Sequence, residues 1–489
     1  MGFVRARTAL LRALAASVTG LAVACSAPAP APPATPSEAP PASAAATPDA
    51  GLPGRLVAEV TGDNAFRHLE ELQRIADANG GNRALATPGY DASVEYVAKT
   101  LRDAGYTVET PEFSARAFSV QDARLTVDGA PTGATPLGFS PATPAGGVTA
   151  PLAVLPQDET SGCEPADFQG VPAGAVVLAR RGTCPFGVKS ANAAAARAAA
   201  LLVANNVDGP LTQATLGDTT GVLPTAGLSK ADGDALAGRV GVPVNLVLAT
   251  TIDERRSRNV VAQTTTGNAD NVVMAGAHLD SVPEGPGIND NGSGTATLLE
   301  TALRLGSAPA VTNAVRFAFW GAEEEGLVGS TAYVGGLSDA DKQKIALYLN
   351  LDMVGSPNAV YLAYDGDNSD NVGAGPGPEG SATVERVLLE QLATTGVTGE
   401  GTDFDGRSDY GPFIAAGIPA GGLFTGAEEP KTPEQAQKWG GTAGKPDDPC
   451  YHQACDRTDN IDRTALDRNV DAFAGTLARF ALSTDGIPA

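Results

Sequence analysis

Three apolar stretches in the second half of the chain each run straight into residues able to bind a metal. Residues 271–277 lead into His278 and Asp280, residues 314–320 into Gly321-Ala322-Glu323-Glu324-Glu325, and residues 345–351 into Asp352. A short continuous apolar run bounded by loop residues reads as a fully buried strand. Helical spacing over 296–305 separates the first two, and strands alternating with helices require a largely parallel sheet with helices on its faces. In open sheets of this kind, loops from several strands converge at the carboxyl ends, and ligands bind there. His278 and the carboxylates are therefore expected at one edge. Taken alone, His278 reads equally well as a hydrogen-bonded residue at a strand end. Crowded carboxylates, however, repel one another or stay protonated unless cations lie between them. Nitrogen and oxygen donors without cysteine suit zinc, and also manganese or cobalt. Two divalent cations would balance three carboxylate ligands and a hydroxide. Gly292 and Gly294 beside Asp290 allow close backbone approach, and the helix that follows turns its positive end towards this carboxylate.

The 489-residue chain is long enough for two or three cores. Its net charge of −23 repels phosphate backbones and anionic lipid, which argues against nucleic acid as a partner. Arg5, Arg7 and Arg12, the apolar residues 14–23 and Ala22-Val23-Ala24 form an export signal, too short and too interrupted by arginine to span a membrane. Cys25 follows directly, in a setting that resembles a lipobox with Leu21 one place too far upstream. Simple cleavage and lipidation of Cys25 both remain open, and the cysteine count favours lipidation. Of five cysteines, Cys163 with Cys184 and Cys450 with Cys455 form local pairs, leaving Cys25 over. In an oxidising compartment both pairs are expected as disulfides, with a metal clip the alternative for the closer pair.

Residues 26–55, rich in Ala and Pro, read as a tether. Folded sequence then divides into 56–115, an inserted β-rich module over 116–251, and 252–489. Two amphipathic helices are expected in the first part, one carrying Phe66, Leu69, Leu72 and Ile75, the other Val94, Val97 and Leu101. The module should contain one Ala-rich helix near 190–200.

The segments HLDSVPEGPGINDNGSG, FWGAEEEGLVGS, LNLDMVGS, DFDGRSDYGPF and GGLFTGAEEP…QAQKWGGTAGKPDDPCYHQACD occur in this order. Together they resemble the secreted bacterial di-zinc aminopeptidases that prefer leucine and other large apolar N-terminal residues, over residues 59–113 and 252–482. The resemblance implies an α/β fold with a central mixed, largely parallel sheet flanked by helices, as in zinc exopeptidases. It implies two Zn2+ per chain, with Asp290 bridging, His278 and Asp352 on one ion, and Glu324 and His452 on the other. Glu323 would be the general base for the attacking water, and Tyr451 would hydrogen-bond the developing oxyanion. Asp280 would steady His278 from behind. Arg407 and Asp409 would lie at the pocket for the substrate's free amino group. Asp467 and Asp471 match carboxylates of a Ca2+ site found in this family, although Glu59 stands where the family has aspartate.

Within the insertion, GCEPADFQG, VVLARRGTCPFGVKSANAAAARAAALLVANN and LPTAGLSKADG resemble the protease-associated (PA) domain through Arg181, Gly182, Cys184, Phe186 and Lys189. Glu325 reads as a solvated loop carboxylate, His68 as a surface residue, and Asn291-Gly292-Ser293 as a coincidental glycosylation sequon. The implied protein is exported, extracellular or lipid-anchored, monomeric, and acts on peptides. A carboxypeptidase on the same scaffold and a noncatalytic peptide-binding protein are the rival readings.

Overall fold

The computed structural model describes residues 47–488 apart from 212, 213, 218, 372 and 374. The export signal, Cys25 and the tether up to residue 46 lie outside the described residues. The first helix, Leu52–Glu59, begins inside the stretch expected as tether. Pro53 suits its first turn, and Leu52 and Leu56 are buried in the same core as the long C-terminal helix Arg463–Leu482. The two expected amphipathic helices are Gly62–Ala78 and Pro88–Asp103, capped by the hydroxyls of Thr61 and Thr87.

Eight strands make the central sheet: β1 Thr107–Glu109, β2 Val260–Gln263, β3 Asn268–His278, β4 Asn313–Trp320, β5 Ile345–Leu351, β6 Leu362–Tyr364, β7 Glu400–Thr402 and β8 Ala420–Phe424. Their spatial order is β1-β2-β4-β3-β5-β8-β6-β7. The central four, β4-β3-β5-β8, are parallel, whereas β1, β2 and β6 run antiparallel to a neighbour, so the sheet is mixed with a parallel centre. Every residue of β5 is buried, as a strand covered on both faces requires. The chain leaves β3 for β4 on one side and returns to β5 on the other. The order therefore reverses at β3, and the crevice at its carboxyl end is where such sheets bind ligands.

The insertion departs and returns through a long two-stranded ribbon, Glu112–Val127 paired antiparallel with Pro243–Arg258. The boundaries expected at 116 and 251 fall within that ribbon, because its strands continue without a break into the peptidase part. Phe113 and Ala115 at its base pack with Leu85 and Ala322, next to Glu323. The module is β-rich, as expected, and is built on a second eight-stranded sheet. It holds four parallel strands, Val148–Val154, Val176–Arg180, Ala200–Ala204 and Thr225–Leu228, with helices Phe186–Ala195 and Lys230–Ala237. The Ala-rich helix ends at Ala195, and the alanine and leucines that follow form a fully buried strand. Helix propensity is a weak prior, and burial in the sheet overrides it there.

Candidate metal centre

Parallel pairing brings the strand ends level. His278 lies beside Trp320 across β3 and β4, and Gly276 beside Asn350 across β3 and β5. The next residues of each chain segment, including Glu323, Glu324 and Asp352, thus meet over His278. Asp290 enters from the loop between β3 and the helix Gly294–Leu305. A Cβ on Gly294 would lie 2.6 Å from the Leu351 carbonyl oxygen, so glycine is needed for this approach.

Asp290 stands between the two histidines. Its Oδ1 is 3.2 Å from His278 Nε2, which is 3.3 Å from Asp352 Oδ1. Its Oδ2 is 3.1 Å from His452 Nε2, which is 3.0 Å from Glu324 Oε2. Donors bound to one tetrahedral zinc at about 2.0–2.2 Å sit about 3.3–3.6 Å from each other, so the histidine–carboxylate pairs of each triad come close to the spacing that one ion demands. Asp352 Oδ1 is buried without a hydrogen-bond partner, another sign of a donor arranged for an ion. The residues fit a pair of zinc ions.

Electrostatics agree. Burial opposes charge on both histidines, yet the surrounding carboxylates win. Asp352 and Glu323 help push His278 well above its usual range, and Glu324 and Asp290 help push His452 up to about 10. Burial, with Asp290 nearby, pushes Glu324 up to about 7. The pocket attracts positive charge and penalises bare carboxylates.

Behind the donors lies a layer of buried polar residues. Asp280 accepts hydrogen bonds from the amides of Glu323 and Glu324, at 3.2 and 3.3 Å, and its Oδ1 is 3.7 Å from His278 Nδ1. Ser408 Oγ donates to Asp352 Oδ2 at 2.6 Å and accepts from Asn350. The Cys450–Cys455 disulfide closes the loop that carries Tyr451 and His452, and the second disulfide joins Cys163 to Cys184. Asp448 and Asp456 flank the first of these bridges. Asp456 accepts from the amides of Asn289 and Asp290 at 2.8 and 3.0 Å, and Asp448 accepts from the Asn289 side chain at 2.7 Å. The loop bearing His452 is thereby tied to the loop bearing Asp290. Arg83, fully buried, donates to the carbonyls of Leu279, Pro286 and Gly287 and braces the path from His278 to Asp290.

Sequence reasoning missed Arg83, Ser408, Asp448 and Asp456. A carboxylate on each side of the Cys450–Cys455 pair was the available signal for the last two. Asp456→Asn would turn an amino group towards one of two buried amides. We expect zinc affinity to fall about 10- to 100-fold, measured by competition with a chelating dye. An unchanged affinity would remove Asp456 from the support of the site.

Other expected residues are placed unevenly. Glu323, Tyr451 and Arg407 line the cleft above the metal triads. Arg407 donates to Tyr451 Oη at 3.2 Å and pairs with Glu428 at 3.0 Å. Asp409 is not among the cleft-lining residues. It is buried beneath the site with neither oxygen hydrogen-bonded, and burial pushes its carboxyl up to about 7. Asp467 accepts from the amide of Gly62, while Glu59 lies 3.9 Å from Arg55. Among the described residues, Glu59, Asp467 and Asp471 do not converge as the triads at the metal centre do.

Two minor expectations are corrected. His68 is not a surface residue: its side chain is 12% exposed and lies between Tyr96 and Glu300, because three helices meet there. Glu325 is half-buried rather than solvated, and burial beside Asp280 pushes it up to about 7. Asn291 is fully buried and bonded to the Leu351 carbonyl, which agrees with a coincidental sequon.

Residues 259–477 match peptidase family M28, and residues 148–236 match the PA domain. A relative in Mycobacterium tuberculosis, described as a probable lipoprotein aminopeptidase, LpqL, is 51% identical over 432 residues, spanning 87% of this chain and 86% of its own length. The chain belongs to peptidase family M28. An aminopeptidase of Pseudomonas aeruginosa is 46% identical over 89% of this chain and 83% of its own. Leucine aminopeptidase 2 of Trichophyton rubrum is 41% identical over 86% of this chain and 84% of its own. The solved aminopeptidase from Aneurinibacillus sp. strain AM-1 matches with a TM-score of 0.72 at 26% identity, covering 88% of this chain and 96% of that one. These likenesses bear out the recognition of the aminopeptidase family, with its α/β fold and PA module. The chain is a metallopeptidase.

Proposed function

We propose that the protein is an exported aminopeptidase that removes single residues, preferably large and apolar, from peptide N-termini at a site holding two zinc ions. The observation that carries this reading is Asp290, whose two oxygens face two separate triads. His278 and Asp352 complete one triad, and His452 and Glu324 the other. Bound there, the cations supply Lewis acidity at the scissile carbonyl and make an attacking water acidic near neutral pH. Glu323, buried in the cleft wall, takes the proton from that water and passes it to the leaving amine. Tyr451 Oη already accepts from Arg407, so its own hydrogen is free to meet the developing oxyanion. Burial keeps the Tyr451 phenol well above its usual pKa, so it stays a donor. The names of the relatives in Mycobacterium, Pseudomonas and Trichophyton support the activity and the leucine preference. The lipoprotein description of LpqL supports acylation of Cys25 as the membrane anchor.

The test is release of p-nitroaniline from leucine p-nitroanilide, compared with its N-acetylated form, before and after chelation and zinc addition. Activity on the free amine alone, lost to chelator and restored by zinc, is expected. Zinc-replete protein inactive on both would exclude an aminopeptidase and turn attention to carboxypeptidase substrates.

A further inference from the structure

The cleft beside the metal triads has a volume of about 340 Å³ and a wall of Met353, Val360, Leu362, Tyr364 and Phe424. Such a wall suits an aliphatic side chain. The same lining includes Asp447, only 4% exposed, whose Oδ1 has no hydrogen-bond partner. Among the described lining residues only Asp352 Oδ1 shares that condition, and it belongs to the metal centre. Two neighbouring acids of the cleft are engaged: Asp405 accepts from Tyr410 and from the Arg407 amide, and Glu429 lies 3.6 Å from Arg407.

Asp447 is also held in place. Its amide donates to the Glu429 carbonyl, its own carbonyl accepts from the Asn358 amide, and its side chain is wedged against Gly426, where a Cβ would come within 2.2 Å of Oδ2. Lys431 is the buried cation of this region, and its ammonium donates to the carbonyls of Ala359 and Gly440, so it acts on Asp447 through space. Burial pushes the Asp447 carboxyl up to about 7, opposed by Lys431 and helped by Glu429. A buried carboxylate without a partner is costly. A cation arriving with the substrate would relieve that cost, and long cationic side chains lay their methylene stems along apolar walls while the charged head finds a polar partner.

We propose that Asp447 determines specificity, admitting N-terminal lysine and arginine residues beside apolar ones by pairing with their terminal cation. This inference rests on the aminopeptidase reading of the cleft. The test compares kcat/KM for the p-nitroanilides of leucine, norleucine and lysine, using the zinc-loaded full chain and its Asp447→Asn variant. Norleucine has the lysine stem without the ammonium. Lysine should be cleaved within about tenfold of norleucine by the unaltered protein, and Asp447→Asn should lower the lysine-to-norleucine ratio at least about tenfold. A larger discrimination against lysine by the unaltered protein overturns the proposal even if the variant fails to fold. A ratio unmoved by the substitution also overturns it. Failure on lysine alone leaves the aminopeptidase reading standing, whereas failure on all three substrates overturns both.

Discussion

Replacing Glu323 with alanine is expected to leave two zinc ions bound per chain while kcat falls about 10²- to 10⁴-fold. Glu323 stands near His278 and Asp352, but the close pairs of the two histidine Nε2 atoms described above are with Asp290 and with Asp352 or Glu324. Removing its carboxyl therefore subtracts a proton acceptor from the cleft without taking a donor from either triad. KM for leucine p-nitroanilide should change far less than kcat, since the loss is confined to the proton-transfer steps. Metal analysis beside steady-state kinetics separates the outcomes. A variant that lost zinc yet turned over normally when reloaded would show that Glu323 is a ligand and that the roles of Glu323 and Glu324 are exchanged.

Asp290→Asn should have a larger effect still on metal content. The carboxylate offers one oxygen to each histidine-centred triad, and an amide can offer an oxygen to only one of them. Zinc after dialysis is expected to fall from two ions to one or fewer, with kcat/KM at least about a thousandfold lower, because two-metal chemistry needs both ions clamped on the reacting oxygens. The fold should survive, since the Asp290 amide keeps its bond to Asp456 and Arg83 still braces the loop. Retention of two zincs by a well-folded variant would falsify the bridging role.

Much of this centre was legible along the chain. The three apolar runs carry strand period and burial in their own composition, and each delivers its polar residues at a carboxyl end, so convergence followed from the α/β pattern. His278, Asp290, Glu324, Asp352 and His452 all meet where the motifs place them. The PA module was legible as an insertion, but its ribbon extends further at both ends than composition suggested, because a paired strand can continue through polar, exposed residues such as Glu254, Arg255 and Arg256.

Other residues were hidden for a definite reason. Arg83 follows a run of Asn and Gly that reads as a breaker, and nothing local says that its guanidinium is enclosed by carbonyls 196 and 203 positions away. The burial of His68 depends on helices from both sides of the insertion, and Asp409 is turned beneath the centre by the packing around it. Asp447 is one acid among many in an acidic chain until the fold buries it in the cleft wall with one oxygen left without a hydrogen bond. Periodicity and glycine placement are properties of neighbours in sequence, and from them came the α/β architecture, whereas the expected donor set and the enzyme class came from the family resemblance that the ordered motifs carry. Which polar groups are buried, which carbonyls need a donor and which carboxylate oxygens go without a hydrogen bond depend on desolvation by distant segments. Only the tertiary structure decides those, because desolvation is a property of the surroundings and not of the residue.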